Sequence, residues 1–159
     1  RAVPGSRFTY PTGQLVLWSA DPALIDAEGK VLADPTIAHV AIADPATAPY
    51  GAAAVEAMQA LGVYDAIQPK LVTGKSISQT FEFAASGAAP VAFVAGSQVI
   101  GDVGGSRWVV PAALYTPIRQ DAVLLTRGAG NPAATDYVAF LKSDAAKAII
   151  ARYGYGLDE

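Results

Sequence analysis

The sequence predicts an α/β fold with a largely parallel sheet flanked by helices, and three observations carry that prediction. Short, almost wholly apolar runs recur along the chain, each closed by turn residues such as Gly or Asp-Pro. Segments of helical period separate these runs, the alternation expected of a layered α/β domain. Hydrophobic residues make up 52% of the 159 residues and charged residues 16%, a balance that supports a packed core and excludes disorder.

The elements follow in order. Leu15–Trp18 is an apolar run between Gly13 and the Asp21-Pro22 turn signal and reads as a buried strand. His39–Ala43 is a second, closed by Asp44-Pro45. Pro49-Tyr50-Gly51 then opens an Ala-rich helix over Ala52–Leu61, with Val55, Met58 and Leu61 at helical spacing and Gly62 as its C′ residue. Lys70–Val72 is a brief strand, and Thr73-Gly74-Lys75-Ser76 a turn that caps a helix over Ile77–Ser86, ended by Gly87. Val91–Ala95 is another buried strand, while Arg107–Val110 and Asp121–Thr126 look extended. Asn131-Pro132 supplies an N-cap and a proline at N1 for a helix bearing Tyr137, Phe140 and Leu141. Ser143-Asp144 starts a last helix through Arg152.

The C-terminal helices need a partner surface that four or five strands are hard pressed to supply, and the join near Pro117–Asp121 reads as a crossover. No run reaches the ~18 apolar residues of a membrane span; the nearest, Ala84–Gly101, is broken by Ser86, Pro90, Ser97 and Gln98. The chain opens at Arg1 without a secretory signal. A mature protein begins this way, and a truncated one looks the same.

The formal net charge is −3 and the Lys and Arg residues are scattered, so nucleic acid is not an expected partner. A small anion would have to be held by local donors. There are no cysteines, which removes disulfides and thiolate metal sites. His39 is the only histidine and reads as a core or edge imidazole rather than a base, so no Ser-His-Asp set can be built. Asp34 and Asp44 precede prolines and read as turn formers. No metal site is expected from one His and dispersed carboxylates. Gly101-Asp102-Val103-Gly104-Gly105 is too short, and too far from a helix, for a nucleotide loop. The aromatics Phe81, Phe83, Trp108, Tyr115, Tyr153 and Tyr155 read as packing residues. Catalysis therefore has no candidate machinery.

What remains is anion binding by backbone. In α/β sheets, ligands sit beyond the carboxyl ends of strands, where amides open the next helix. The turn from His39–Ala43 to Tyr50-Gly51, and the turn from Lys70–Val72 to Ser76-Ile77-Ser78, each offer such amides. Every helix has an N-terminus, however, and taken alone both turns read as ordinary caps rather than as a site.

Several segments stand in a distinctive order: Pro4–Tyr10, Leu15–Ser19, Ala41–Pro45 with Ala48–Gly51, Ala85–Ala89 with Phe93–Ala95, Gly105–Trp108, Pro117–Val123, Ile149-Ile150 and Tyr153–Leu157. Together they resemble the periplasmic molybdate-binding proteins of ABC importers, within the type II periplasmic-binding-protein family. The resemblance implies a two-lobed fold with the oxyanion between the lobes, and roughly the first third of the family's mature chain has no counterpart here. Residues 1–117 would then be the second lobe, with the first hinge crossing near 8–18 and the body over Gln14–Pro117. Residues 118–159 would be the return hinge strand and the C-terminal helices of an incomplete first lobe.

The resemblance also carries over two ligand positions, the backbone amides of Tyr50 and Ile77. Some members add a tyrosine hydroxyl where this chain has Ala95, and the family's hydroxyl donors from the first lobe are missing with that lobe. It implies molybdate, with tungstate close behind, as the ligand, a membrane permease as partner, a periplasmic location, and neither cofactor nor enzymatic activity. The alternatives are another oxyanion such as sulfate, a lobe with no ligand affinity of its own, or an enzyme or sensor domain on the same fold. An exposed cleft face would favour self-association.

Overall fold

A computed structural model describes residues 1–101 and 103–157; Asp102, within the glycine-rich stretch named above, lies outside the described residues. The chain divides into two compact units. One is Gln14–Ile118, and the other takes in Arg1–Gly13 and the chain from Arg119 onward.

The opening strand β1 (Phe8–Gly13) belongs to the smaller unit; the larger begins with β2 (Leu15–Ser19). There follow β3 (Val40–Ala43), α1 (Pro49–Ala60), the single turn α2 (Tyr64–Ile67), β4 (Leu71–Gly74), α3 (Ile77–Ala85), β5 (Val91–Ala95) and β6 (Ser106–Val109). The five strands of this unit form one sheet in the order β4-β3-β5-β2-β6. β3 pairs parallel with both β4 and β5, whereas β2 lies antiparallel between β5 and β6. Four strands thus run one way and only β2 opposes them.

Both faces of this sheet are covered, which explains why its strands read as continuous apolar runs rather than alternating ones. Leu15, Leu17, Val40, Ile42, Val91 and Phe93 point to one face and pack with Ala53, Ala54, Ala57 and Met58 of α1. Val16, Trp18, Ala41, Ala92 and Val94 point to the other, with Ala84 of α3 and the half-buried Phe81 and Phe83. Trp18 meets Phe81 with ring centroids 5.0 Å apart. The many alanines of α1 let it lie close on the sheet, and no side chain longer than Met58 is fully buried along it.

The predicted caps form. Ser76 Oγ accepts from the Gln79 N–H at 3.2 Å, and Asn131 Oδ1 from the Ala133 N–H at 3.0 Å. Gly62 and Gly87 end their helices with positive φ. His39, in contrast, precedes β3 and is exposed, so it takes no place in the core.

In the smaller unit, β1 pairs with β7 (Ile118–Ala122), accompanied by α4 (Pro132–Leu141) and α5 (Asp144–Arg152). The expected extended stretch Asp121–Thr126 lies earlier than predicted, because the polar segment Ile118–Ala122 takes the strand. Asp121 accepts from the Thr9 hydroxyl at 2.7 Å and from Arg7 Nε at 2.5 Å, tying β7 to β1. The apolar Val123 and Leu125 are left 41% and 55% exposed. Tyr137, Phe140 and Ile149 on the helices are exposed as well, as is Tyr153 just after α5. A groove of about 250 Å³ in this unit is lined by Tyr10, Ile149, Ile150, Tyr153 and Tyr155 among others. No helix of the described residues is long and apolar enough to cross a membrane.

Candidate functional site

β3 and β4 are adjacent and parallel, but the helices that follow them leave in opposite directions. α1 packs on one face of the sheet and α3 on the other. In α/β sheets the usual ligand position lies beyond the carboxyl ends of strands whose following helices part in this way. Tyr50 is the second residue of α1 and Ile77 the first of α3, so both candidate residues lie at the turns that follow these strand ends.

Two glycines let the turns close up. Gly51 is buried, and a Cβ there would stand 2.1 Å from Ala43 O at the end of β3. At Gly74, the last residue of β4, a Cβ would lie 2.6 Å from Thr80 Oγ1 and 3.0 Å from Thr80 N. The first turn of each helix therefore rests directly on the end of its strand. The two turns are also joined to one another: the Asp44 N–H donates to Gly74 O at 2.9 Å, extending the β3–β4 ladder beyond its last strand pair, Ala43 and Gly74.

Asp44, just after β3, is engaged in a turn, its Oδ1 accepting from the Ala46 N–H at 2.9 Å. Asp34, on the amino side of β3, accepts from the Thr36 hydroxyl and N–H, and these bonds hold its carboxyl below the usual range. Both act as the turn formers expected from sequence. Among the described residues no three of His, Asp and Glu gather as a metal site.

The amides of the first turn of α3 divide into two sets. The Lys75 N–H donates to Gln79 Oε1 at 2.8 Å and the Gln79 N–H to Ser76 Oγ, a reciprocal arrangement close to a capping box. The Thr80 N–H donates to Ser76 O at 3.0 Å. The N–H groups of Ile77 and Ser78, the first and second residues of α3, meet no acceptor among the described residues. In α1, Pro49 has no N–H, and the Gly51 and Ala52 N–H groups donate to Ala48 O at 2.9 and 3.2 Å.

Two side chains that the sequence reading passed over support the first turn of α3. Gln98, half-buried just beyond β5, accepts from the Ala95 N–H at 3.0 Å and donates through Nε2 to Ile77 O at 3.2 Å. Thr80, fully buried, donates its hydroxyl to Ser76 O at 2.9 Å. Spacing does mark Thr80, four residues beyond the cap, as able to bond back to Ser76. Nothing local marks Gln98, which reaches a residue 21 positions away.

The adjacent parallel strands β3 and β4 thus lead into the N-termini of two helices on opposite faces of the sheet. The chain belongs to the bacterial extracellular solute-binding protein family, whose model matches residues 1–156. Within that family it is 65% identical over 154 residues to the molybdate-binding protein ModA of Rhodobacter capsulatus, covering 97% of this chain and 61% of the relative. It is 54% identical over 158 residues to ModA of Azotobacter vinelandii, covering 98% and 63%. The solved periplasmic molybdate-binding protein of A. vinelandii superposes with a TM-score of 0.90 at 43% identity, covering 99% of this chain and 71% of that one. The chain thus spans about three fifths of the length of these two curated relatives.

Proposed function

We propose that this chain carries part of the oxyanion site of a non-enzymatic, periplasmic molybdate-binding protein that delivers its ligand to the membrane permease of an ABC importer. The backbone amides at Tyr50 and Ile77 are the donors. The observation that carries this reading is the pair of glycine-seated turns at the carboxyl ends of β3 and β4, in a chain 65% identical to a molybdate-binding protein. In this reading residues 1–117 are the second lobe, with the first hinge crossing near 8–18, and residues 118–159 are the return hinge strand and the C-terminal helices of the first lobe.

The chemistry suits the ligand. Molybdate is fully ionised at neutral pH, so a site built only of donors serves it, whereas a protonated phosphate also needs an acceptor. Each charge-assisted bond to the anion is worth about 1.5–3 kcal/mol. Tungstate, nearly the same size, binds in the same way; sulfate differs only in size. The exposed apolar side chains of α4 and α5 favour self-association of this chain.

Isothermal titration of molybdate into the chain, with sulfate and phosphate as controls, tests the proposal. Selective binding of molybdate is expected. Equal heats from sulfate would replace the ligand with a broader oxyanion class. No heat from any oxyanion would make this chain a half-site without affinity of its own.

A further inference from the structure

The two peptide units that carry the Ile77 and Ser78 N–H groups are each gripped from behind. The Ile77 N–H belongs to the peptide whose carbonyl is Ser76 O, and that oxygen accepts both the Thr80 N–H at 3.0 Å and the Thr80 hydroxyl at 2.9 Å. The Ser78 N–H belongs to the peptide whose carbonyl is Ile77 O, which accepts Gln98 Nε2 at 3.2 Å. In a trans peptide the N–H points opposite to the C=O. A donor on the oxygen therefore fixes the plane of the unit and draws electron density away from the N–H, making it a stronger donor on the far side.

We propose that Thr80 and Gln98 are positioning residues of the anion site, acting through the Ser76 and Ile77 carbonyls to orient and polarise the Ile77 and Ser78 amides. The inference rests on the oxyanion reading above and adds Ser78 N–H as a donor beside Ile77. Their positions suit the task. Thr80 is fully buried, packed where Gly74 leaves no room for a Cβ, so its hydroxyl cannot turn to water. Gln98 is anchored at its other end by the Ala95 N–H at the close of β5, so the third parallel strand helps hold the first turn of α3. Neither side chain is needed to keep the helix bonded, because Ser76 O retains the Thr80 N–H when the hydroxyl is removed.

That last point separates positioning from plain stability. Thr80→Val keeps the shape and deletes the hydroxyl, Thr80→Ser restores it, and Gln98→Met deletes both side-chain bonds of Gln98 at similar length. Molybdate titrations of the chain and the three variants, followed through the ¹⁵N–¹H resonances of Ile77 and Ser78, give affinity and amide polarisation together. Thr80→Val and Gln98→Met should each bind roughly threefold to tenfold more weakly, with Thr80→Ser within about twofold of the original chain. Before any anion is added, the Ile77 proton should move upfield in Thr80→Val and the Ser78 proton in Gln98→Met. If the original chain binds molybdate and both variants bind equally well with unmoved amides, the positioning roles are overturned and the oxyanion reading survives. If the original chain gives no response at Ile77 or Ser78 to molybdate, sulfate or phosphate, both proposals fall together. Should Thr80→Val fail to fold, Gln98→Met decides the outcome by the same criteria.

Discussion

Replacing Gly51 by alanine should weaken both the fold and the proposed anion site, although the same change in an open helix would strengthen the fold. Gly51 is the third residue of α1, and its added Cβ would fall 2.1 Å from Ala43 O, 2.7 Å from Ala43 C and 2.9 Å from Asp44 C. All three are backbone atoms at the end of β3, so no side chain can rotate aside, and the first turn of α1 must lift. Ala for Gly in a helix ordinarily contributes about 0.5–1 kcal/mol, whereas overpacking a tight contact costs about 1–3 kcal/mol. A contact this short lies at the severe end, leaving a net loss of about 2 kcal/mol. For a chain of this size that corresponds to a melting temperature lower by roughly 4–8 °C. The lifted turn carries the Tyr50 amide with it. Losing one charge-assisted bond of about 1.5–3 kcal/mol weakens molybdate binding roughly tenfold to more than a hundredfold. Gly62→Ala is the control: Gly62 has φ +70° with nothing within 4 Å of its Cβ position, so it should lose stability through left-handed strain and keep its affinity. Thermal unfolding by circular dichroism and molybdate titration of both variants provide the assay. A Gly51→Ala chain that melts at or above the original, or binds molybdate as tightly, would refute the close-approach argument.

Two further outcomes can be checked independently. The Thr9 hydroxyl, and after it Arg7, holds the Asp121 carboxyl below its ordinary value. A depressed folded-state pKa means the contribution is complete above the ordinary carboxylate value of 3.8 and fades as pH falls from there through the folded-state value. The stability gap between the original chain and Asp121→Asn should therefore be constant near neutrality and close only under acid, as denaturant melts across pH would record; a gap that changes between pH 6 and 8 contradicts it. Separately, the exposure of Tyr137, Phe140, Ile149 and Tyr153 predicts a sedimentation coefficient that rises with concentration. Tyr137→Lys with Phe140→Lys should reduce that rise, and an invariant monomer across all concentrations would count against it.

Much of this protein is set by residues acting locally. Leu15–Trp18 and Val91–Ala95 announce strands buried on both faces because every position is apolar, and both form where expected. Ser76 and Asn131 bond to amides two or three residues on, so the starts of α3 and α4 are decided within one turn of chain. Gly62 and Gly87 stop helices by adopting a conformation other residues avoid. The ordered set of family segments, from Pro4–Tyr10 to Tyr153–Leu157, likewise depends only on residue identity. Tyr50 and Ile77 could be named as candidates from it.

Tertiary structure decided what local signals leave degenerate. One apolar run is as good a partner as another, so nothing in Leu15–Ser19 specifies that β2 lies antiparallel between β5 and β6. That choice is made by whichever pairing buries both faces together with α1 and α3. The polar segment Ile118–Ala122 became a strand by pairing with β1, more than a hundred residues earlier, a pairing accompanied by the bonds from Arg7 and Thr9 to Asp121. That α1 and α3 leave the adjacent strands β3 and β4 for opposite faces of the sheet is likewise a matter of packing. The grip of Gln98 on Ile77 O is a contact across the sheet end, joining residues that sequence spacing cannot bring together. Helix caps and strand runs are short-range events, legible from a few neighbouring residues. The orientation of a peptide in the first turn of α3 is long-range, and only the packed sheet determines it.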